Sequence, residues 1–202
     1  VFRIDGEYFQ KEHLAAEAVR RKRPHRRLLD LGCQVKSFGA YSLNNDVEYV
    51  SAGIPFLRGM NMTGGRVNFS DTLFITADAH KFLWKSEVKR GMVLLSMSGT
   101  IGDVAIATGS WPYPVNSNQD IAKIETNDGI NPFILYAYLL SSFGQGYLNR
   151  EARGSVQQHV FLSQIEQLEV PEFSNELATS IEANVERSDR DMLRAGEHQG
   201  AA

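Results

Sequence analysis

The stretch Gly91-Met92-Val93-Leu94-Leu95-Ser96-Met97-Ser98-Gly99-Thr100-Ile101-Gly102-Asp103-Val104-Ala105-Ile106-Ala107-Thr108 reads as two short strands and a turn. Its apolar runs, Met92–Ser96 and Val104–Thr108, have strand length and are bounded by turn residues. Ser98-Gly99 supplies the turn chemistry between them. The segment Ser96–Asp103 also has the small residues of a phosphate-cradling loop. It lacks the Gly-Lys-Ser/Thr ending of such loops, and a strand rather than a helix follows it. A β-hairpin connection is therefore the expectation.

Outward from this hairpin, Pro55–Leu57, Leu73–Thr76, Ile121–Ile124 and Gln167–Val170 read as further strands. Gly64-Gly65, Gly109-Ser110 and Asn127-Asp128-Gly129 mark turns between them. Three helices are expected. Residues 6–23 are rich in helix formers and stop before Pro24. Residues 132–148 begin at Asn131-Pro132, an N-cap followed by a proline suited to the first turn. Residues 175–195 carry Ala178, Ile181, Val185, Met192 and Ala195 near a 3–4 spacing, with a frayed tail expected from Gly196. The predicted fold class is α+β: a β-rich body with a twisted mixed sheet, flanked by an N-terminal helix and a C-terminal amphipathic helix. This divides the chain into a helical segment 1–27, a body 28–173, and a helix with tail 174–202. No internal repeat is visible.

Composition is that of a globular domain, with 202 residues, 43% hydrophobic and 22% charged. No apolar run approaches the ~20 residues of a membrane span. A single cysteine, Cys33, excludes a disulfide framework and a thiolate zinc cluster, and fits a cytoplasmic location. The start at Val1 reads as a cut inside a longer protein. The net charge of −3 is unevenly spread: +4 over residues 1–27, −1 over 28–165 and −6 over 166–202. Such a chain does not live on phosphate contacts alone. The flanking helices, opposite in charge, are expected to pair with each other or with helices of a partner.

Catalytic patterns are incomplete. Asn131-Pro132-Phe133 lacks the second proline of an amino-methyltransferase motif and is better read as a helix start. Asp71 with Glu87 and Lys89 has only the loose spacing of a metal-dependent nuclease. The five histidines show no ligand spacing. The basic run Arg20-Arg21-Lys22-Arg23, His25-Arg26-Arg27 suits either a helix C-terminus or a phosphate patch. Two further segments are dense in amides, Pro114–Asp120 and Arg153–His159, and both read as loops. Asn and Gln pair bidentately with adenine and Arg with guanine, whereas the same side chains also cap turns.

In order and spacing, these segments resemble the target-recognition domain of type I restriction–modification specificity subunits. The resemblance is carried by Gly53-Ile54-Pro55-Phe56-Leu57-Arg58-Gly59-Met60-Asn61-Met62, Gly91–Ser96, Ser98–Val104 and Asn118-Gln119-Asp120. The helix at 132–148, Gly154-Ser155-x-Gln157-x-His159 and the strand into Pro171 complete it. It spans about Leu28 to Pro171. It implies a non-catalytic, sequence-specific reader of double-stranded DNA that directs a partner DNA methyltransferase, with or without a restriction subunit, through its helices. It implies no cofactor in this chain: S-adenosylmethionine, and ATP and Mg where cleavage occurs, belong to the partners. Only one recognition domain is present. The fragment is therefore half of a two-domain subunit, a half-length subunit that self-associates, or the specificity part of a fused methyltransferase–nuclease.

On this reading the expected DNA contacts are Arg58, Asn61, Arg153, Ser155, Gln157, Gln158 and His159, followed by Asn116, Asn118 and Gln119. Lys36 and Tyr41, flanking a short loop, are further candidates. Two rivals remain: a metal-dependent nuclease using Asp71, Glu87 and Lys89, and a protein-interaction module built on the flanking helices alone.

Overall fold

The computed structural model describes residues 6, 8–37, 47–154 and 158–199. Elements follow the chain as helix α1 (Lys11–Arg20), strands β1 (His25–Arg27), β2 (Gln34–Lys36), β3 (Tyr49–Val50), β4 (Ile54–Leu57), β5 (Met62–Thr63), β6 (Arg66–Val67) and β7 (Leu73–Ile75), then helix α2 (Ala77–Phe82). Strands β8 (Glu87–Val88), β9 (Val93–Ser96), β10 (Val104–Ile106), β11 (Val115–Ser117) and β12 (Ile121–Glu125) come next. Helices α3 (Pro132–Leu140), α4 (Ser142–Glu151) and α5 (Leu162–Glu166), strand β13 (Glu169–Pro171) and helix α6 (Asn175–Gln199) complete the order.

Two sheets form the body. An antiparallel sheet runs β10-β9-β12-β2, and a mixed sheet runs β3-β7-β4-β11-β8. In the second, β11 lies parallel to β4 and antiparallel to β8. The class is α+β, with the expected mixed sheet divided into two layers. The β9–β10 hairpin forms as read, in register Leu95 to Val104. Gly102 in its turn has φ +89, and a Cβ there would stand 2.6 Å from Gln145 Oε1. Both the backbone conformation and the close approach call for glycine.

Side chains of the first sheet alternate between two cores, because successive residues of a strand face opposite ways. Val93, Leu95, Val104, Ile106, Ala122 and Ile124 face the helices, against Leu135, Tyr138, Leu139 and Leu148. Leu94, Ala105 and Ile121 face the second sheet and meet Leu57, Val88 and Val115. A third cluster, Val47, Phe56, Ile75 and Leu83, lies under α2.

One polar residue joins the inter-sheet layer. Lys123, between Ile121 and Ile124 on β12, is 1% exposed, and its Nζ donates to Ser117 Oγ at 3.0 Å. Burial pulls its pKa down to about 8. Ser117 Oγ also donates to Ser86 O, and Ser86 Oγ donates to Asn116 Oδ1. The Asn116 amide nitrogen continues the chain to His80 Nδ1 and Leu83 O.

Several expectations need correction. The helix read over 132–148 is two helices. Ser141 Oγ accepts from Gly144 N and caps α4, and a Cβ at Gly144 would meet Tyr138 O at 2.3 Å. The helix read over 6–23 is limited to Lys11–Arg20 and buries no side chain. The amide-rich segment at Pro114–Asp120 is not a loop throughout, since Val115–Ser117 is a buried interior strand. Helix α6 spans Asn175–Gln199.

Each flanking helix packs on a different helix of the body. Helix α1 packs on α4, where Arg150 binds Glu17 at 2.8 Å, donates to Tyr8 O, and covers the Tyr8 ring at 3.9 Å. Helix α6 packs on α3, and Asp189 accepts hydrogen bonds from Thr108 and Ser110. A cleft of about 450 Å³, lined by Val19, Ile134, Tyr138, Phe143, Leu177 and Ile181, is bordered by both flanking helices. Among the described residues, no helix is long and apolar enough to cross a membrane.

Candidate nucleic-acid interface

Strand register brings most of the expected contact residues to one end of the two sheets. Strands β4 and β11 are parallel, with Ser117 beside Leu57, and Asn118 N donates to Leu57 O at 2.8 Å. Arg58 and Asn118 therefore leave their strands side by side. In the other sheet, Ile121 pairs with Ser96, so the turn after β9 and the approach to β12 meet at the same end. Strand β2 also arrives there, and Ser37 Oγ donates to Gln119 O. The two sheets close on each other at Gly59, where a Cβ would lie 2.9 Å from Ser96 Oγ.

The segment after α4 crosses this end. Arg153 and His159 form a bridge, exchanging backbone hydrogen bonds at 2.9 and 2.7 Å. His159 also bridges to Ser98, and Val160 N donates to Met97 O. The result is a cleft of about 400 Å³ lined by Ser37, Ser98, Gln119, Asp120, Gln158 and His159, with Phe161 beside them.

Each wall is internally braced. Asp120 accepts from Ser98 Oγ at 2.7 Å and from Asn118 Nδ2 at 3.0 Å. Phe161 N donates to Gln164 Oε1, while Gln164 Nε2 donates to the backbone and carboxylate of Glu151. This fixes the start of α5 and leaves the Phe161 ring half exposed, edge-on to His159 at 4.8 Å. Gln119 Oε1 is buried with no hydrogen-bond partner among the described residues. An acceptor of that kind favours a donor brought by a ligand.

The candidate contact residues separate by environment. Gln158 is exposed at the cleft and Arg153 is exposed beside its bridge partner His159, while His159, Gln119, Asn118 and Arg58 are part-buried. Arg58 Nη2 donates to Asp71 O at 3.2 Å, which steadies the guanidinium beside the cleft loops. Lys36 lies on the β2 segment but its ammonium is held by Glu125 at 3.2 Å. Tyr41, Ser155 and Gln157 lie outside the described residues.

Asn61 and Asn116 are corrected. Both are fully buried. Asn61 Oδ1 accepts from Arg58 N, and its Nδ2 donates to Asp71 O. Asn116 is spent on Ser86, His80 and Leu83. Their amides organise loops and cannot reach a base without unfolding them.

The basic run after α1 is partly structural as well. Arg20 is largely buried against Glu169, and Arg21 and Arg27 pair with Glu17 and Asp30. Asp71 and Glu87 belong to no group of metal-binding side chains, since the described residues contain none.

Sequence reading overlooked three large apolar side chains. Met60 follows Arg58 at this end and is 62% exposed, Phe161 is 50% exposed, and Trp84 is 65% exposed. Nothing in the local apolar pattern separates such residues from core, because exposure is set by how the turns lie on the sheets.

Residues 32–171 match the protein family described as type I restriction modification DNA specificity domain. A search of curated protein sequences gave no match. Among solved structures, the S subunit of a type I restriction–modification system from M. genitalium aligns with TM-score 0.54 at 18% identity, covering 81% of this chain and 39% of that one. The HsdS subunit from Thermoanaerobacter tengcongensis aligns with TM-score 0.55 at 16% identity, over 94% and 46%. The type IIG restriction endonuclease BpuSI aligns with TM-score 0.61 at 12% identity, over 89% and 28%. The chain thus spans less than half the length of each of these structures.

Proposed function

Because this chain belongs to the type I restriction–modification DNA specificity domain family, we propose that its cleft end reads a double-stranded DNA sequence and directs a partner methyltransferase to it. The observation that carries this reading is the convergence of Arg58, Asn118, Gln119, Arg153, Gln158 and His159 from four separate segments onto one end of the sheets. Exposed Arg and Gln side chains match guanine and adenine edges, while braced backbone turns suit phosphates that set register. Arg153 and Gln158 are the base readers; Asn118 and Gln119 shape the opposite wall. Tyr41, Ser155 and Gln157 remain further candidate DNA contacts.

The body 28–173 holds this reader, while 1–27 and 174–202 carry the helices that meet a methyltransferase subunit, a restriction subunit or a second copy. S-adenosylmethionine, ATP and magnesium act on those partners. A net charge of −3 leaves much of the phosphate grip to the partner. A second reading, the specificity part of a single-chain methyltransferase–nuclease, is favoured by the fold shared with a type IIG endonuclease.

The test is to assemble the methyltransferase subunit with and without this chain and measure binding to duplexes of different sequence. Sequence-dependent binding that appears only with the chain is expected. Equal binding to all duplexes in both cases would overturn the reading.

A further inference from the structure

We infer that Gln164 is the positioning residue of the DNA reader: its buried amide ties together the entry and the exit of the segment that presents Arg153 and Gln158. The inference rests on the proposed DNA-reading function and assigns a determinant of sequence choice that itself stays away from DNA.

Two helix ends bracket the segment. Helix α4 ends at Glu151, and Phe161 is the residue just before α5. Arg153 follows Glu151 by two residues, and Gln158 precedes Phe161 by three. Gln164, in the first turn of α5, reaches both ends. Its Nε2 donates to Glu151 O at 2.6 Å and to the Glu151 carboxylate at 2.9 Å. Its Oε1 accepts from Phe161 N at 2.8 Å. A helix leaves its last carbonyls and its first N–H groups without intrahelical partners. Here one side chain serves a carbonyl at the end of α4 and an N–H at the start of α5. The chain therefore leaves α4 and returns to α5 across the width of one amide group. The paired backbones of Arg153 and His159 continue from that base.

The clamp is enclosed and held in turn. Gln164 and Glu151 are each 8% exposed. The Glu151 carboxylate also accepts a hydrogen bond from the Tyr8 hydroxyl, and Tyr147 Oη donates to Gln164 O at 2.8 Å. The amide is not what seats α5 on the body. Val160, Ile165 and Leu168 are fully buried in the core, and Val160 N donates to Met97 O. These anchors hold the helix, while Gln164 holds the two ends of the reading segment against each other. A binding group has to be kept within about 0.5 Å of its productive place. The clamp thus bears on sequence choice more than on the fold.

The reach of the amide is the property to test. Asparagine offers the same group one methylene shorter and cannot span both ends. The methyltransferase subunit is assembled with the wild-type chain, with Gln164→Asn, with Gln164→Glu, and with the exchange Glu151→Gln/Gln164→Glu. The sites that each complex methylates in a random-sequence duplex library give the discrimination at every position. Gln164→Asn is expected to lose about tenfold at the positions that Arg153→Ala and Gln158→Ala also relax, and nothing elsewhere. Gln164→Glu sets two carboxylates side by side, removes the donor to Glu151, and is expected to do the same. In the exchange, the amide at position 151 donates to the carboxylate at position 164, and discrimination is expected to return.

Full discrimination in Gln164→Asn overturns the inference. So does a loss spread evenly over all positions, a Gln164→Asn chain that no longer folds, or an exchange that rescues nothing, since each marks an amide that serves the fold alone. Any of these leaves the proposed function standing as long as the wild-type complex distinguishes DNA sequences. If it does not, or if Arg153→Ala and Gln158→Ala relax no position, the proposed reading falls and the inference with it.

Discussion

Replacing Lys123 by Met should stabilise the protein near neutral pH. The lysine sits between the two sheets, 1% exposed, with Ser117 Oγ as its hydrogen-bond partner. Its pKa is lowered from 10.5 to about 8 by burial. A depressed lysine pKa means that the folded state binds this proton less tightly than the unfolded state. Below about pH 8 both states are protonated and the fold bears the full penalty. Between about 8 and 10.5 the folded state releases the proton first, and the penalty fades. The shift corresponds to about 3 kcal/mol. Methionine has a similar length and no charge, but it gives up the hydrogen bond to Ser117, a loss of about 1 kcal/mol. Ser117 keeps its bond to Ser86. The net gain at pH 7 should therefore be about 2 kcal/mol. Urea unfolding of both proteins at pH 7 and pH 10 reads it: the variant midpoint should be higher at pH 7, and the difference should shrink by pH 10. A variant less stable than wild type at pH 7, by an amount independent of pH, would refute the reasoning. It would mean that the ammonium is compensated where it lies.

Other outcomes follow from the same contacts. Asn116→Ala should cost about 1–3 kcal/mol in urea unfolding, because it removes a fully buried amide that accepts from Ser86 Oγ and Ser117 N and donates to Leu83 O. The folded variant, assembled with methyltransferase, should keep its DNA sequence preference; a changed preference would restore Asn116 as a base reader. Arg150→Ala should release α1, which buries no side chain of its own. Faster hydrogen exchange over Lys11–Arg20, with the body unchanged, is the expected signature. Burial alone would raise the Glu17 carboxyl, but the Arg150 hydrogen bond and charge hold it below the usual range. Its contribution is thus present above about pH 4.5 and lost as pH falls through the lowered folded value, so α1 should loosen in acid. Acid-insensitive exchange in α1 would contradict this. Gly102→Ala should destabilise by about 1 kcal/mol or more from its φ of +89, beyond the clash with Gln145.

Local chemistry carried much of the fold into the sequence. Asn131-Pro132 started α3 as read, with Asn131 Oδ1 accepting from Phe133 N. The β9–β10 hairpin was equally visible, since its apolar runs and glycine turn agree. What escaped depended on long-range burial. Val115-Asn116-Ser117 is polar enough to read as loop, yet β4 and β8 enclose it and its polar atoms find partners across the sheet. The same burial removed Asn116 and Asn61 as contacts, although amide chemistry had marked them. Arg153, Gln158 and His159 were marked by that chemistry too; Gln158 and His159 line the cleft with Gln119, and Arg153 is bridged to His159. Trp84 gave no signal in sequence because its exposure follows from a turn pinned by Ser86 and Ser117.

The central claim is that this cleft end chooses the DNA sequence on which a partner acts. The most direct measurement is to map the sites methylated by the assembled complex with the wild-type chain and with Arg153→Ala and Gln158→Ala. Each bidentate reader is worth roughly 1–3 kcal/mol of discrimination. The variants should therefore relax the methylated sequence at one or a few positions and leave the others unchanged. The same methylated sequence at the same rate with both substitutions would contradict the account.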